Sequence, residues 1–343
     1  MTLKEIYNTI LSNPNKWKYY SEMDFTTTKC NVEQLFSSDN CARDFIECYF
    51  KAGDKLSVLY DEHSDKMEGR WIHTLSVFLL GIALADLLGI DFSQEFQGNK
   101  KYLYHWYLTC LYHDYGYTIE NKSKEYLHYG YKLRSLFYSI NGKSAKYYLR
   151  MKNEDSEFST QIRNKYHKFC IQRGFVNHGI IGGLLLYSQL RNHLQDKINK
   201  HGGKRHFYEG KLYYSIKQKK DFAICADAII AHNIWFNVSP ISDLNLTADN
   251  KHTYKHWLTA LLVLCDTLEP IKAFKCCNPI SILENIEFKI NTNNSLTISG
   301  NNSCYIYEDY IKKCRSIQDW TYVLPINMNT TSITLNHLRK LYI

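Results

Sequence analysis

Five strongly apolar, helix-periodic runs in this 343-residue chain each carry an ionisable side chain at one end or on the inner face. His73 opens the first, RWIHTLSVFLLG, and His113 with Asp114 closes the second, YLTCLYHDYGYTIE. His178 opens the third, VNHGIIGGLLL, His232 closes the fourth, ADAIIAHN, and Asp266 lies inside the fifth, LTALLVLCDTLEP. In the first run Leu75, Phe78, Leu79, Ile82, Leu84 and Leu87 recur at helical spacing before Gly89 ends the pattern. An ionisable group buried without a partner is costly. Six of them beside five such helices are best tolerated where they meet at one interior point.

The rest of the chain narrows the class. Hydrophobic residues make up 45% and charged residues 22%, which excludes a disordered or low-complexity chain. Only 5 prolines leave room for long helices, and 28 Tyr with 16 Phe supply core and pocket walls. The 11 cysteines are odd in number, form no CxxC pair and include Cys110, Cys225 and Cys265 inside apolar runs. They read as reduced thiols acting as small hydrophobes. The first residues lack a signal core, and the apolar stretch from Leu75 to Ile90 is interrupted by Asp86, short of the ~20 residues of a membrane span. The expectation is a soluble cytoplasmic protein that uses no membrane. A net charge of +8 fits anionic partners, either phosphorylated small molecules or nucleic acid.

The expected fold class is all-α. Residues 1–64 form an N-terminal helical extension, and 65–275 form the core with two basic insertions, about 121–173 and 195–220. Residues 276–343 form a C-terminal β-hairpin and helix packed on that core. The hairpin is read from IEFKI and SLTISG, which alternate on either side of NTNN, and the helix from 307–320. The stretch 197–220 interleaves eight Lys and Arg with Phe207, Tyr208, Tyr213 and Tyr214. Such a stretch can bind single-stranded nucleic acid or close as a lid over a nucleotide. Both insertions are expected near the site entrance.

Four histidines and two aspartates are a ligand set for divalent Fe, Mn, Zn, Ni or Co. They are too many for one tetrahedral structural zinc. They suit two metals sharing a carboxylate, and Asp114, held beside His113, is the natural bridge. Two such metals clamp a phosphoryl group and generate hydroxide near neutral pH. Glu120, six residues past Asp114, is a candidate general acid or base. Arg70, three before His73, is a candidate phosphate ligand through its bidentate fork.

The ordered set H…HD…H…H…D resembles the HD-domain superfamily of metal-dependent phosphohydrolases over roughly residues 65–275. His73, the pair His113–Asp114 and Asp266 stand at the four signature positions. His178 and His232 resemble the extra ligands of the two-metal branch that includes HD-GYP phosphodiesterases. The GYP tripeptide is absent, Tyr117 stands where a lysine often follows the HD pair, and Asn233 replaces the second histidine of an HH pair. The resemblance implies an HD-domain helical bundle that binds one or two divalent transition metals. It implies a phosphohydrolase or phosphodiesterase cleaving a phosphoester of a nucleotide or nucleotide-like second messenger by metal-activated hydroxide. His73, His113, Asp114 and Asp266 would hold one metal, and His178 and His232, sharing Asp114, the other. The alternatives are a mononuclear nucleotidase or dNTP hydrolase using the four signature ligands and Glu120, and a metal-stabilised nucleotide- or nucleic-acid-binding regulator without turnover.

Overall fold

The structure, a computed structural model, describes residues 1–19, 31–55, 70–88, 95–96, 100–117, 166, 177–233, 257–274, 277–290, 296–300, 310, 314, 326–328 and 332–335. The chain begins with α1 (Leu3–Leu11), started by a capping box in which Thr2 and Glu5 exchange hydrogen bonds. Leu3, Tyr7, Ile10 and Leu11, three and four residues apart, form its buried stripe. After a turn at Pro14–Lys16 come α2 (Val32–Leu35) and α3 (Asp39–Ala52), the latter capped by the Ser38 hydroxyl. These helices lie within residues 1–64, where a helical extension is expected.

Helix α4 (Trp71–Leu88) is apolar on every side, and His73 through Ala85 are all buried. A helix without a polar face belongs in the middle of a core. It packs against α1, α3, α5 (Tyr102–Tyr112) and α8 (Trp257–Leu268). Between α4 and α5 lies a minimal hairpin of β1 (Glu95–Phe96) and β2 (Lys100–Lys101). Helix α6 (His178–Lys200) lies against α7 (Gln218–Ala231), and α7 in turn packs on α5 and α8. The described residues are thus mostly helical, with α4, α5, α7 and α8 at the centre. No described helix is long and apolar enough to cross a membrane.

After α8 a 3-10 turn (Ile271–Ala273) and α9 (Pro279–Asn285) lead into a small antiparallel sheet. Its strands are β5 (Ile286–Ile290), β6 (Leu296–Gly300), β7 (Ile326–Met328) and β8 (Ser332–Leu335), in the order β5-β6-β8-β7. The expected hairpin is β5–β6, with Phe288 opposite Ile298. The two further strands carry too few residues for a clear alternating pattern. Along β5 the backbone N–H of Phe288 donates to the Met1 carbonyl (2.9 Å), which ties the N-terminal segment to the sheet. The expected helix at 307–320 lies outside the described residues apart from buried Tyr310 and Cys314. The insertion 121–173, apart from buried Tyr166, and Glu120 also lie outside them. The seven described cysteines are free thiols, with Cys110, Cys225, Cys265 and Cys314 buried.

The second basic insertion is not where a lid would be. Helix α6 runs 23 residues from His178 before the chain turns, about 33 Å at 1.5 Å per residue. There it forms the hairpin β3 (His206–Glu209) and β4 (Leu212–Ser215), and α7 then carries it back to His232. The hairpin therefore stands at the opposite end of the α6–α7 pair from the histidines. The expectation of a lid at the site entrance is corrected on this point. The physical reason is that the helical pattern of α6 continues through the polar residues up to Lys200.

Candidate metal centre

Each of the five apolar runs delivers its ionisable side chain to one place. His73 is the third residue of α4, and His113 and Asp114 directly follow α5. His178 is the first residue of α6, His232 directly follows α7, and Asp266 sits in the last turn of α8. His73, His113, Asp114, His178 and His232 are all buried.

Close backbone packing makes this convergence feasible. A Cβ on Gly116 would stand 1.9 Å from the His178 carbonyl oxygen and 2.8 Å from the Gly182 nitrogen. A Cβ on Gly179 would stand 2.8 Å from the Ile229 carbonyl oxygen and 2.9 Å from the His232 ring. Missing side chains at these two glycines let α6 lie directly on the end of α5 and on α7.

Ring orientation follows from the helix ends. A helix leaves its last carbonyls without intrahelical partners. Nδ1 of His113 donates to the Cys110 carbonyl (2.5 Å), and Nδ1 of His232 donates to the Ile229 carbonyl (2.6 Å). Nδ1 of His73 donates to buried Glu269 at 2.7 Å. Carbonyl and carboxylate oxygens only accept, so each of the three Nδ1 atoms is turned to its partner as a donor and each Nε2 atom faces the cluster. Such outer partners are what fix the tautomer of a metal-binding histidine.

The Nε2 atoms converge. Nε2 of His73 is 3.3 Å from Nε2 of His113, 3.4 Å from Oδ2 of Asp114 and 3.2 Å from Oδ1 of Asp266. Nε2 of His113 is 3.5 Å from Oδ1 of Asp114 and 3.7 Å from Oδ1 of Asp266. On the other side of Asp114, Nε2 of His178 is 3.6 Å from Oδ1, and the His178 and His232 rings meet edge-on with centroids 5.2 Å apart. Oδ1 of Asp114 and Nε2 of His232 are buried and make no hydrogen bond. These two unpartnered acceptors, facing the other ring nitrogens, are suited to a cation. The residues sort into two triads, His73–His113–Asp114 and Asp114–His178–His232, each with ligand atoms mutually within 4.8 Å. Asp114 belongs to both. The set therefore fits divalent metal ions, with nitrogen and oxygen donors and no thiolate.

The electrostatics agree. Burial would raise the Asp114 carboxyl, but the Lys272 ammonium and then the His113 and His73 rings outweigh it and hold it ionised far below the usual carboxylate range. Asp266 is held low in the same way, by Lys272 against burial. Burial, and then the His178 and His113 rings, push His232 down to about 3, so it is a neutral base at physiological pH.

Among the described residues, Arg70, Lys272 and the Tyr117 ring border the triads. Nη1 of Arg70 is 3.2 Å from Oδ2 of Asp114, and its guanidinium lies 3.7 Å over the Tyr117 ring. His178 also stacks on that ring, at 3.6 Å and 17°. Burial, then Asp114, push the Tyr117 phenol up to about 12. Nζ of Lys272 lies 3.0 Å from Oδ1 of Asp266 and 3.7 Å from Oδ2 of Asp114. Asn233 donates its amide to Nε2 of His178 at 2.7 Å.

Arg70 thus touches the cluster, and Glu120 lies outside the described residues. Sequence reasoning missed Glu269 and Lys272, three and six residues past Asp266. No periodic pattern marks them, because they act from the turn after α8 rather than from a helix face. Glu269 is held in that turn by the N–H groups of Ile271 (2.8 Å) and Lys272 (3.0 Å). No protein-family model matches the chain, and neither a curated protein nor a solved structure matches it.

Proposed function

We propose that the chain is a metal-dependent phosphohydrolase of the HD type, acting on a phosphoester of a nucleotide or nucleotide-like messenger. The observation that carries this reading is the pair of buried triads sharing Asp114, with three histidine Nδ1 atoms pinned and their Nε2 atoms turned inward. His73, His113, Asp114 and Asp266 would hold one metal, and His178 and His232 with Asp114 a second. When bound, such metals polarise phosphoryl oxygens and acidify water to near neutral pH.

The chain's own residues supply the rest. Glu269 holds the His73 ring in place and keeps Nδ1 protonated. Arg70 and Lys272 flank the carboxylates as fixed positive charges, suited to the oxygens of a phosphoryl group. Tyr117, stacked between Arg70 and His178, holds both in register. Burial of the carboxylates and imidazoles excludes bulk water, which strengthens each of these interactions.

The test is hydrolysis of bis(p-nitrophenyl) phosphate and p-nitrophenyl phosphate with Mn, Fe, Co, Ni or Zn, followed by a screen of linear and cyclic nucleotides. The reading expects metal-dependent turnover, reduced on the order of 100-fold or more in Asp114→Asn. Absence of turnover with every metal and substrate would leave a binding regulator. One observation favours the one-metal alternative. The Asn233 amide occupies the His178 Nε2 lone pair that a second metal would use. Metal stoichiometry separates the two.

A further inference from the structure

We propose that the outward face of the β3–β4 hairpin binds single-stranded nucleic acid, with Tyr208 as a base-stacking platform and Lys204, Arg205 and Lys211 as phosphate contacts. The hairpin is firmly mounted. Phe207 and Tyr214, paired across the strands, face the body and stack on one another with ring centroids 5.0 Å apart. Phe207 also stacks on His201 at 4.1 Å, and the Tyr214 hydroxyl donates to the Asp54 carboxylate. The tip is a two-residue turn whose first central residue, Gly210, has φ +59 and so needs no Cβ.

The opposite face carries Tyr208 and Tyr213, directly paired, with rings 5.1 Å apart. His206 bonds the Tyr213 hydroxyl at 2.7 Å and steadies that ring. Tyr208 is 74% exposed, although aromatic rings of this size are otherwise sheltered among the described residues. An exposed ring on a rigid two-stranded platform is what an unstacked base needs.

Charge selects the partner. From Lys197 to Lys220 the sequence has eight Lys and Arg and one carboxylate, Glu209. Glu209 is taken by Lys197 (2.9 Å), Lys200 (3.1 Å) and His201 (3.6 Å). Lys204, Arg205 and Lys211 are exposed and make no ion pair among the described residues. Their uncompensated charge, spread around one exposed aromatic pair, complements a flexible polyanion with bases. A duplex keeps its bases stacked and would leave Tyr208 unused. The hairpin lies about 33 Å along α6 from His178, so binding here is separate from the metal centre.

The test is fluorescence anisotropy of labelled dT12 with the full chain, from 50 to 300 mM NaCl. Binding should weaken with salt, with a log–log slope of about −2 for three phosphates. Tyr208→Ala should weaken it about 5-fold or more at every salt concentration with the slope unchanged, and Tyr208→Trp should restore it. The double variant Lys204→Glu/Arg205→Glu should flatten the slope by about 1 or more. Metal content and circular dichroism should stay as in the parent chain for all three. No binding at 50 mM NaCl would overturn the proposal. So would binding indifferent to Tyr208→Ala, or capture of phosphatidylserine vesicles by this face without capture of dT12.

Discussion

Nδ1 of His73 donates to Oε2 of Glu269 across 2.7 Å, joining the start of α4 to the turn after α8. The bond fixes which nitrogen of His73 faces the cluster, so Glu269 would support a bound metal without being a ligand. Glu269 also accepts the N–H groups of Ile271 and Lys272, so a Gln amide must forfeit at least one acceptor. Glu269→Gln is expected to weaken metal affinity about 10- to 100-fold. Competition against a calibrated chelator reads this, and an unchanged affinity would contradict it.

Gly116 is required by the approach of α6. Its added Cβ would meet backbone, the His178 carbonyl at 1.9 Å, and backbone cannot rotate away as a side chain can. Gly116→Ala is expected to cost about 1–3 kcal/mol in urea denaturation and to lower metal content, because His178 moves with its helix. A variant with parental stability and full metal content would refute the backbone-contact account.

Away from the centre, His105 and Asp221 form a fully buried pair, 3.0 Å apart, between α5 and α7. Removing one member of such a pair takes this hydrogen bond from the other, at a typical loss of about 1–3 kcal/mol. Asp221→Ala should show a loss of that order. The double variant His105→Leu/Asp221→Leu should recover most of it, since two apolar groups need no partner. Equal losses in the single and double variants would show that the pair is not coupled.

His193, on α6, gives the fold a pH dependence. Burial, and then the Lys55 ammonium, push its ring from 6.5 down to about 4. Above pH 6.5 the ring is neutral both folded and unfolded. Below it the unfolded chain takes up the proton first, so stability falls as pH drops from 6.5 towards 4 and levels off below that. The partial exposure of the ring holds the effect to about 1–3 kcal/mol. Urea midpoints at pH 7.5 and 4.5 should therefore differ less for His193→Gln than for the parent chain. Identical differences would remove His193 as the cause.

Much of the centre was legible because helix periodicity and polarity conflict there. His73, His113, Asp114, His178, His232 and Asp266 each interrupt or end an apolar run, and the structure brings all six together. Glu269 and Lys272 were not legible, because they act from a turn where no periodicity predicts side-chain direction. The long α6 hid the position of the basic hairpin. Residues Gln195 to Lys200 are polar enough to resemble an insertion, yet they continue the helix and move the hairpin away from the site. Strands β7 and β8 were missed because three and four residues leave alternation undefined.

The central claim is that Asp114 serves two metal sites. Elemental analysis of protein purified without chelator tests it most directly, comparing the parent chain with Asp114→Ala and with His178→Ala/His232→Ala. The account predicts about two transition metals per chain in the parent, about one in the histidine double variant and essentially none in Asp114→Ala. A parent chain that carries no metal and takes none up on reconstitution would contradict it.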